Sequence, residues 1–159
     1  MKQLFTYVTY TEFLQQHPKE TDFFDLIYEV KYPNNILRCP KCDRITKICR
    51  QKYDPRKMYC YAESCHREFS VLSDTMFKGT HLDLRIWFYA ISLMVRTYPK
   101  PSALFLQKAT GIKSYHSAHR MRSIINQTLI QLAQSKNSVD YKIISRFLHN
   151  EERAKFQSL

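Results

Sequence analysis

CPKCDRITKICRQKYDPRKMYCYAESC, residues 39–65, carries all five cysteines of a 159-residue chain. The spacing is Cys39-x2-Cys42, then seventeen residues, then Cys60-x4-Cys65, with Cys49 between the pairs. A Cys-x2-Cys bend brings two sulfurs together. A second pair a hairpin away completes the tetrahedron that zinc accepts. Pro40 stiffens the first bend and Lys41 offsets thiolate charge. Asp54-Pro55 marks a turn between two short strands. The pattern predicts a zinc ribbon with one structural Zn2+ on Cys39, Cys42, Cys60 and Cys65. His66 follows Cys65 directly and is the alternative fourth ligand, because the x4 spacing is wider than the usual x2. Cys49 falls inside the first strand and reads as a small, half-buried side chain. A catalytic zinc would need an open water position and a carboxylate base. Glu63 and Glu68 are at hand, but the pattern selects neither. Two short strands bury too little surface to stand alone, so closure by the metal is expected to be a folding requirement.

The charge balance changes where the cysteines begin. Residues 1–38 hold 4 Lys/Arg and 5 Asp/Glu, whereas residues 39–159 hold 21 and 9. The net charge of +11 favours a polyanionic partner, nucleic acid first and an anionic membrane second. No apolar run is long enough to span a bilayer, and the N-terminus lacks the apolar core of a signal peptide. The expectation is an intracellular protein of the cytoplasm or nucleus, not secreted and without a membrane partner. There thiols stay reduced, and metal binding is favoured over disulfides.

On either side of the ribbon the periodicity is helical. Residues 10–32 read as two short helices broken near His17-Pro18, the first capped by Thr11. The second carries Phe23, Phe24, Ile27, Tyr28 and Val30 on a broad apolar face. Phe69, Val71 and Leu72 are expected to close the ribbon as a strand. Residues 83–97 form a helix so rich in apolar side chains that it needs partners on more than one side. Another helix starts near Pro101 and breaks at Thr110-Gly111. Ser114 caps the next, which runs to about residue 134 with Tyr115, Ala118, Met121, Ile125, Leu129 and Leu132 facing inward. A last short helix covers 139–149, and His149, Glu151 and Glu152 read as a surface cluster. The fold class is α+β, mainly helical: a small zinc ribbon packed with a helix-turn-helix bundle. Its segments are residues 1–36, an N-terminal helical piece; 37–75, the ribbon; and 76–159, a helical domain with the helix-turn-helix at about 101–134.

Two helices joined by a short glycine turn form a helix-turn-helix candidate, whose second helix would enter the major groove by its N-terminal part. Its outer face carries His116, Ser117, Arg120 and Ser123, with Lys113 just before the helix and Arg122 partway round. Arg120 suits guanine or phosphate, Lys113 and Arg122 suit phosphate, and Ser117 suits either. A solvated polar face on a core helix is the plainer alternative.

CPKC, then YCYAESCHREFSVLSDTMFKGTHLDLRIWFYAISLM, then ALFLQKATGIKSYHSAHRMRSII resembles the N-terminal half of insertion-sequence transposases of the IS1595 and IS1016 type, whose eukaryotic relatives are the Merlin elements. The resemblance runs over roughly residues 12–126. It rests on Phe69-Ser70, the T-x-F-x-x-T segment from Thr75 to Thr80, Leu84-Arg85 with Trp87-Phe88, and the helix pair over 101–125. It implies a zinc ribbon and helix-turn-helix that recognise terminal inverted repeats. In that family a separate C-terminal RNase H-like domain supplies the carboxylates that hold two catalytic metals. Here Asp74, Asp83 and Asp140 are isolated, so no enzyme activity is expected. An excised piece, a degenerate copy and a repurposed DNA-binding half all fit this expectation. The leading reading is a zinc-stabilised, sequence-specific binder of double-stranded DNA acting by occupancy, with a homodimer as a candidate assembly. The competing reading is an adaptor whose ribbon and aromatic helices dock on a protein partner in a larger nucleic-acid-processing complex.

Overall fold

The computed structural model describes residues 8–45 and 48–157, with side chains as far as Glu151. In chain order the elements are α1 (Tyr10–Gln16), α2 (Thr21–Lys31), a 3-10 turn (Pro33–Asn35), β1 (Ile48–Arg50), β2 (Lys57–Cys60), β3 (Glu68–Ser70), α3 (Leu84–Arg96), α4 (Ala103–Thr110), α5 (Tyr115–Leu132) and α6 (Val139–Gln157). The chain is α+β and mainly helical, with a small antiparallel sheet at a four-cysteine cluster and a multi-helix bundle. Two compact units result. One combines the residues up to Glu20 with those from His81 onward; the other is Thr21–Thr80. The N-terminal segment read as one piece is therefore shared, α1 going to the helical unit and α2 to the ribbon unit.

The ribbon unit is built on the strand order β1-β2-β3, antiparallel throughout. Ile48 pairs with Cys60 and Arg50 with Met58, while Met58 pairs with Phe69 on the other side. The hairpin between β1 and β2 closes as its sequence requires: the Asp54 side chain accepts from the Arg56 N–H at 3.0 Å, and the Asp54 carbonyl accepts from Lys57. One sheet face turns to α2, whose Phe23, Phe24 and Ile27 are buried. Arg50 reaches Asp25 at 2.6 Å and lies over the Tyr28 ring, and Arg56 lies over Phe24. The closing strand is shorter than expected. Val71 and Leu72 leave β3 for a buried turn in which the Thr75 hydroxyl donates to the Leu72 carbonyl at 2.7 Å and accepts from the Phe77 N–H. Lys31 donates to the Val71 carbonyl at 2.8 Å and pins this turn to the end of α2.

In the helical unit, α1 is capped by Thr9 and not by Thr11. The Glu12 carboxylate returns to the Thr9 N–H at 2.7 Å, completing a capping box that Thr11 cannot form because Leu14 stands three residues after it. α3 receives two carboxylates at its start: Asp83 accepts from the Arg85 N–H at 2.8 Å, and Glu20 accepts from the Leu84 N–H at 3.0 Å. Its residues Leu84 and Trp87 through Met94 are buried, as the apolar crowding demands, whereas the next residue, Val95, is exposed. Phe147 of α6 packs on Phe88 of α3 and Phe13 of α1.

α6 is much longer than the helix expected over 139–149, and its extension has a partner. Glu151, read from sequence as part of a surface cluster, is buried. Its carboxylate lies 2.8 Å from Arg96 Nη1 and 3.4 Å from the Ser92 hydroxyl, both on α3, and 3.7 Å from His17. A charge taken out of water needs such partners, and Arg96 Nη2 is itself buried with no hydrogen-bond partner among the described residues. Replacing Glu151 by Ala is expected to destabilise the helical unit by about 2–4 kcal/mol, since it strands a partly buried guanidinium. Thermal unfolding reads the loss. Glu151→Gln, which keeps an acceptor, should lose less, and neither should alter metal content.

Candidate metal centre and helical face

The four expected sulfurs meet. One ligand atom each from Cys39, Cys42, Cys60 and Cys65 lies within 4.8 Å of all the others. Two edges of this figure, Cys39 to Cys65 and Cys42 to Cys60, measure 3.7 Å. A regular tetrahedron of sulfurs about 2.3 Å from a central ion has edges of about 3.8 Å. The same separation is far beyond a sulfur–sulfur bond of about 2.05 Å, and all five cysteines are free thiols. The donor set, its spacing and its burial fit a structural tetrahedral metal with no open coordination position.

Two turns of different length achieve this by one device. In the first, the Cys39 N–H donates to the carbonyl of Arg44, two residues beyond the second cysteine, and Asp43 between them has φ +59°. In the second, the Cys60 N–H donates to the carbonyl of Arg67, again two beyond the second cysteine, and His66 has φ +41°. The two extra residues of the x4 spacing are taken up by a tight turn in which the Cys65 N–H donates to the Ala62 carbonyl at 2.8 Å. His66 is thus the backbone counterpart of Asp43, in the left-handed region that Asp and His enter more readily than most. Its ring is exposed, with Nδ1 3.4 Å from the Tyr59 hydroxyl, and lies outside the cluster. The fourth ligand position is therefore Cys65. Cys49 is excluded by strand alternation. It pairs with Tyr59, whereas its neighbour Ile48 pairs with Cys60. Its thiol lies 3.2 Å from the Tyr61 hydroxyl.

The sulfurs are electrostatically unequal. Burial raises the Cys39 thiol, but the N–H groups of Cys42 and Lys41 and the neighbouring thiols outweigh it and bring the group down to about 7. Burial, then the other three cysteines, pushes Cys65 up to about 12. Four thiolates this close cannot all ionise without a central cation.

The helical face is set by two caps. Gly111 ends α4 with φ +73°, and the Ser114 side chain accepts from the Ser117 N–H to start α5. Ile112 is buried between them. Ala118, Met121, Ile125 and Thr128 of α5 turn inward. Lys113, His116 and Arg120 are exposed, and Ser117 is half-buried beside them. Arg122 stands apart: it is half-buried on the flank, its Nε donating to the Pro101 carbonyl at 2.7 Å ahead of α4. Tyr115 does not face inward as expected. It is 52% exposed, and as the first helical residue it precedes the buried stripe. Its ring lies 6.0 Å from that of His119, an exposed residue of the same face that the pattern did not single out. An i to i+4 aromatic pair was the available signal.

No protein-family model matches the chain, and no curated protein or solved structure is significantly similar to it. Among the described residues no helix is long and apolar enough to cross a membrane.

Replacing Cys60 or Cys65 by Ser should abolish stoichiometric binding of Zn2+ or Co2+, read by elemental analysis and cobalt charge-transfer absorption. His66→Ala should keep one metal and an unchanged four-sulfur spectrum. Metal uptake near neutral pH should release protons, because bound sulfurs must be thiolates, so affinity should fall as the pH is lowered.

Proposed function

We infer that the chain is a zinc-stabilised, sequence-specific binder of double-stranded DNA that acts by occupancy and not by catalysis. The observation that carries this is the start of α5. A four-residue turn anchored by the buried Ile112 starts the helix, with Lys113, His116, Arg120 and the newly identified His119 exposed and Ser117 half-buried beside them. A helix presented in this way matches the helix-turn-helix mode of entry into a major groove. Arg120 suits a base edge or phosphate. Lys113 suits phosphate, and Arg122 would offer its Nη groups to the backbone while Nε stays tied to Pro101. Net +11 supplies the long-range attraction. The resemblance to the terminal-repeat-recognition half of insertion-sequence transposases supports the same reading, and pairing as a homodimer on an inverted repeat would follow from it. Zn2+ is the metal that the four-thiolate set favours in a reducing, intracellular compartment.

A second reading has its own observation. Leu104, Phe105 and Tyr115 are 50%, 43% and 52% exposed on the adjoining helices α4 and α5. Such side chains suit an adaptor docking on a protein partner.

Selection from a random duplex library at physiological salt tests the first reading. An enriched motif is expected, with Arg120→Ala weakening binding roughly tenfold and relaxing one base position. Lys113→Ala should weaken all sequences alike and reduce the salt slope by about one. Absence of any enriched motif with folded, metal-loaded protein would sink the reading.

A further inference from the structure

The flank of α5 is tied to the loop that joins α3 to α4. Arg122 Nε donates to the Pro101 carbonyl at 2.7 Å, and Lys100 Nζ donates to the Asn126 side-chain carbonyl at 3.1 Å. Arg122 and Asn126 stand four residues apart on α5, so they are neighbours on one face, with Cβ atoms about 5–6 Å apart. The two contacts therefore hold two cations about one helical turn from each other. Prolines on both sides of Lys100 restrict the backbone that presents it.

Both acceptors are neutral. A carbonyl and an amide orient the cations but do not compensate their charge, and two like charges this close repel. Neither side chain is in an ion pair among the described residues. The sequence supplies the reason. From Leu84 to Val139 there is no Asp or Glu, against eight Lys and Arg. Of these, Arg85 and Arg96 are neutralised by acids from outside the stretch, Asp83 and Glu151. Lys100 and Arg122 receive no such acid. Lys100 is exposed and Arg122 half-buried, so an anion can reach the pair from solvent. A phosphate diester, with one negative charge and two acceptor oxygens, supplies what the pair lacks.

The position of the pair selects the source of that phosphate. Arg122 stands seven residues beyond Tyr115, the first residue of α5, hence about 10 Å along the axis. The major groove is roughly 8.5 Å deep. With α5 entering N-terminus first and its tip at the base edges, Arg122 and Lys100 are level with the phosphate rim. Arg120 and Arg122, two residues apart, point about 160° apart around the helix, so they meet opposite rims. We propose that Lys100 and Arg122 form a two-pronged clamp for a backbone phosphate of the duplex, on the rim across the groove from Arg120; this rests on the α5 reading. The clamp carries no sequence information of its own. It fixes how far α5 enters and which way it is turned, and so which bases Arg120 and His116 can reach.

The test uses full-length, metal-loaded protein with selected and scrambled duplexes, titrated over a range of salt. Lys100→Gln removes the charge and keeps a donor for Asn126. It should weaken binding to both kinds of duplex alike, lower the salt slope by about one and leave the enriched motif unchanged. A neutral methylphosphonate placed at each backbone position in turn locates the contact. At one position it should weaken binding by the wild type, and there it should have no further effect on Lys100→Gln. Wild-type affinity and salt slope in Lys100→Gln would overturn the proposal. So would an altered motif, which makes Lys100 a base reader, or a methylphosphonate scan identical in the two proteins. Loss of inorganic-phosphate binding with duplex binding unchanged would assign the pair to a small anion and overturn the clamp as well. An enriched motif with an indifferent Lys100 sinks the clamp alone. Weakened duplex binding by Lys100→Gln where no motif is enriched supports the clamp and sinks sequence reading by α5. No duplex binding by the wild type sinks both.

Discussion

Four sulfurs brought to within 4.8 Å of one another are the constraint on which the ribbon unit depends. The three strands are three or four residues long, too short to stand by apolar burial. Their register follows from where the cysteine turns must close. Both turns fold the chain back through a residue of positive φ and tie the first cysteine N–H to a carbonyl two residues past the second. The cluster also sets the division of labour in the sheet. Because Cys60 and Met58 face inward, Tyr59 and Tyr61 face outward. The structural demand for buried sulfur thus creates an exposed aromatic surface.

The helical unit answers to a different constraint. α3 is buried on most of its circumference and must be surrounded, so α1 and α6 pack their phenylalanines around it while α5 also contacts it. One charged group, Arg96, is caught in this packing at the last turn of α3. Glu151 resolves it from α6. With the apolar contacts thus placed on one side of α5, its opposite side is left to His116, His119 and Arg120, and the exposed N-terminus of that helix is a consequence of how the core was filled.

Much was legible because the governing interactions are local. A Cys-x2-Cys bend, an Asp-Pro turn, a glycine at a helix end and a serine three residues later each act over a handful of residues. Each was found where the sequence indicated. The likeness to a transposase half pointed to the same ribbon and helix pair. The comparisons with known proteins leave that kinship without support of their own, so its value lies in the site it directs attention to. Thr9 was also legible in principle, since the capping box requires an acid three residues on and Glu12 supplies it. Tyr115 was misplaced because helical spacing gives a direction around the axis but not where along it the neighbouring helix begins.

By itself the sequence determined the cluster of Cys39, Cys42 and Cys60 with a fourth member at Cys65 or His66, the helix pair with its caps, and the basic charge of everything after residue 38. Only the tertiary structure decided between Cys65 and His66, since both could reach a fourth position and the choice turned on a backbone angle. Only it took Glu151 from an apparent surface cluster to a buried pair, because its partners lie on α3, more than fifty residues earlier in the chain. It also showed which tyrosines stay in solvent. Spacing along a chain fixes what neighbours can do, whereas burial depends on which distant segments arrive to cover them.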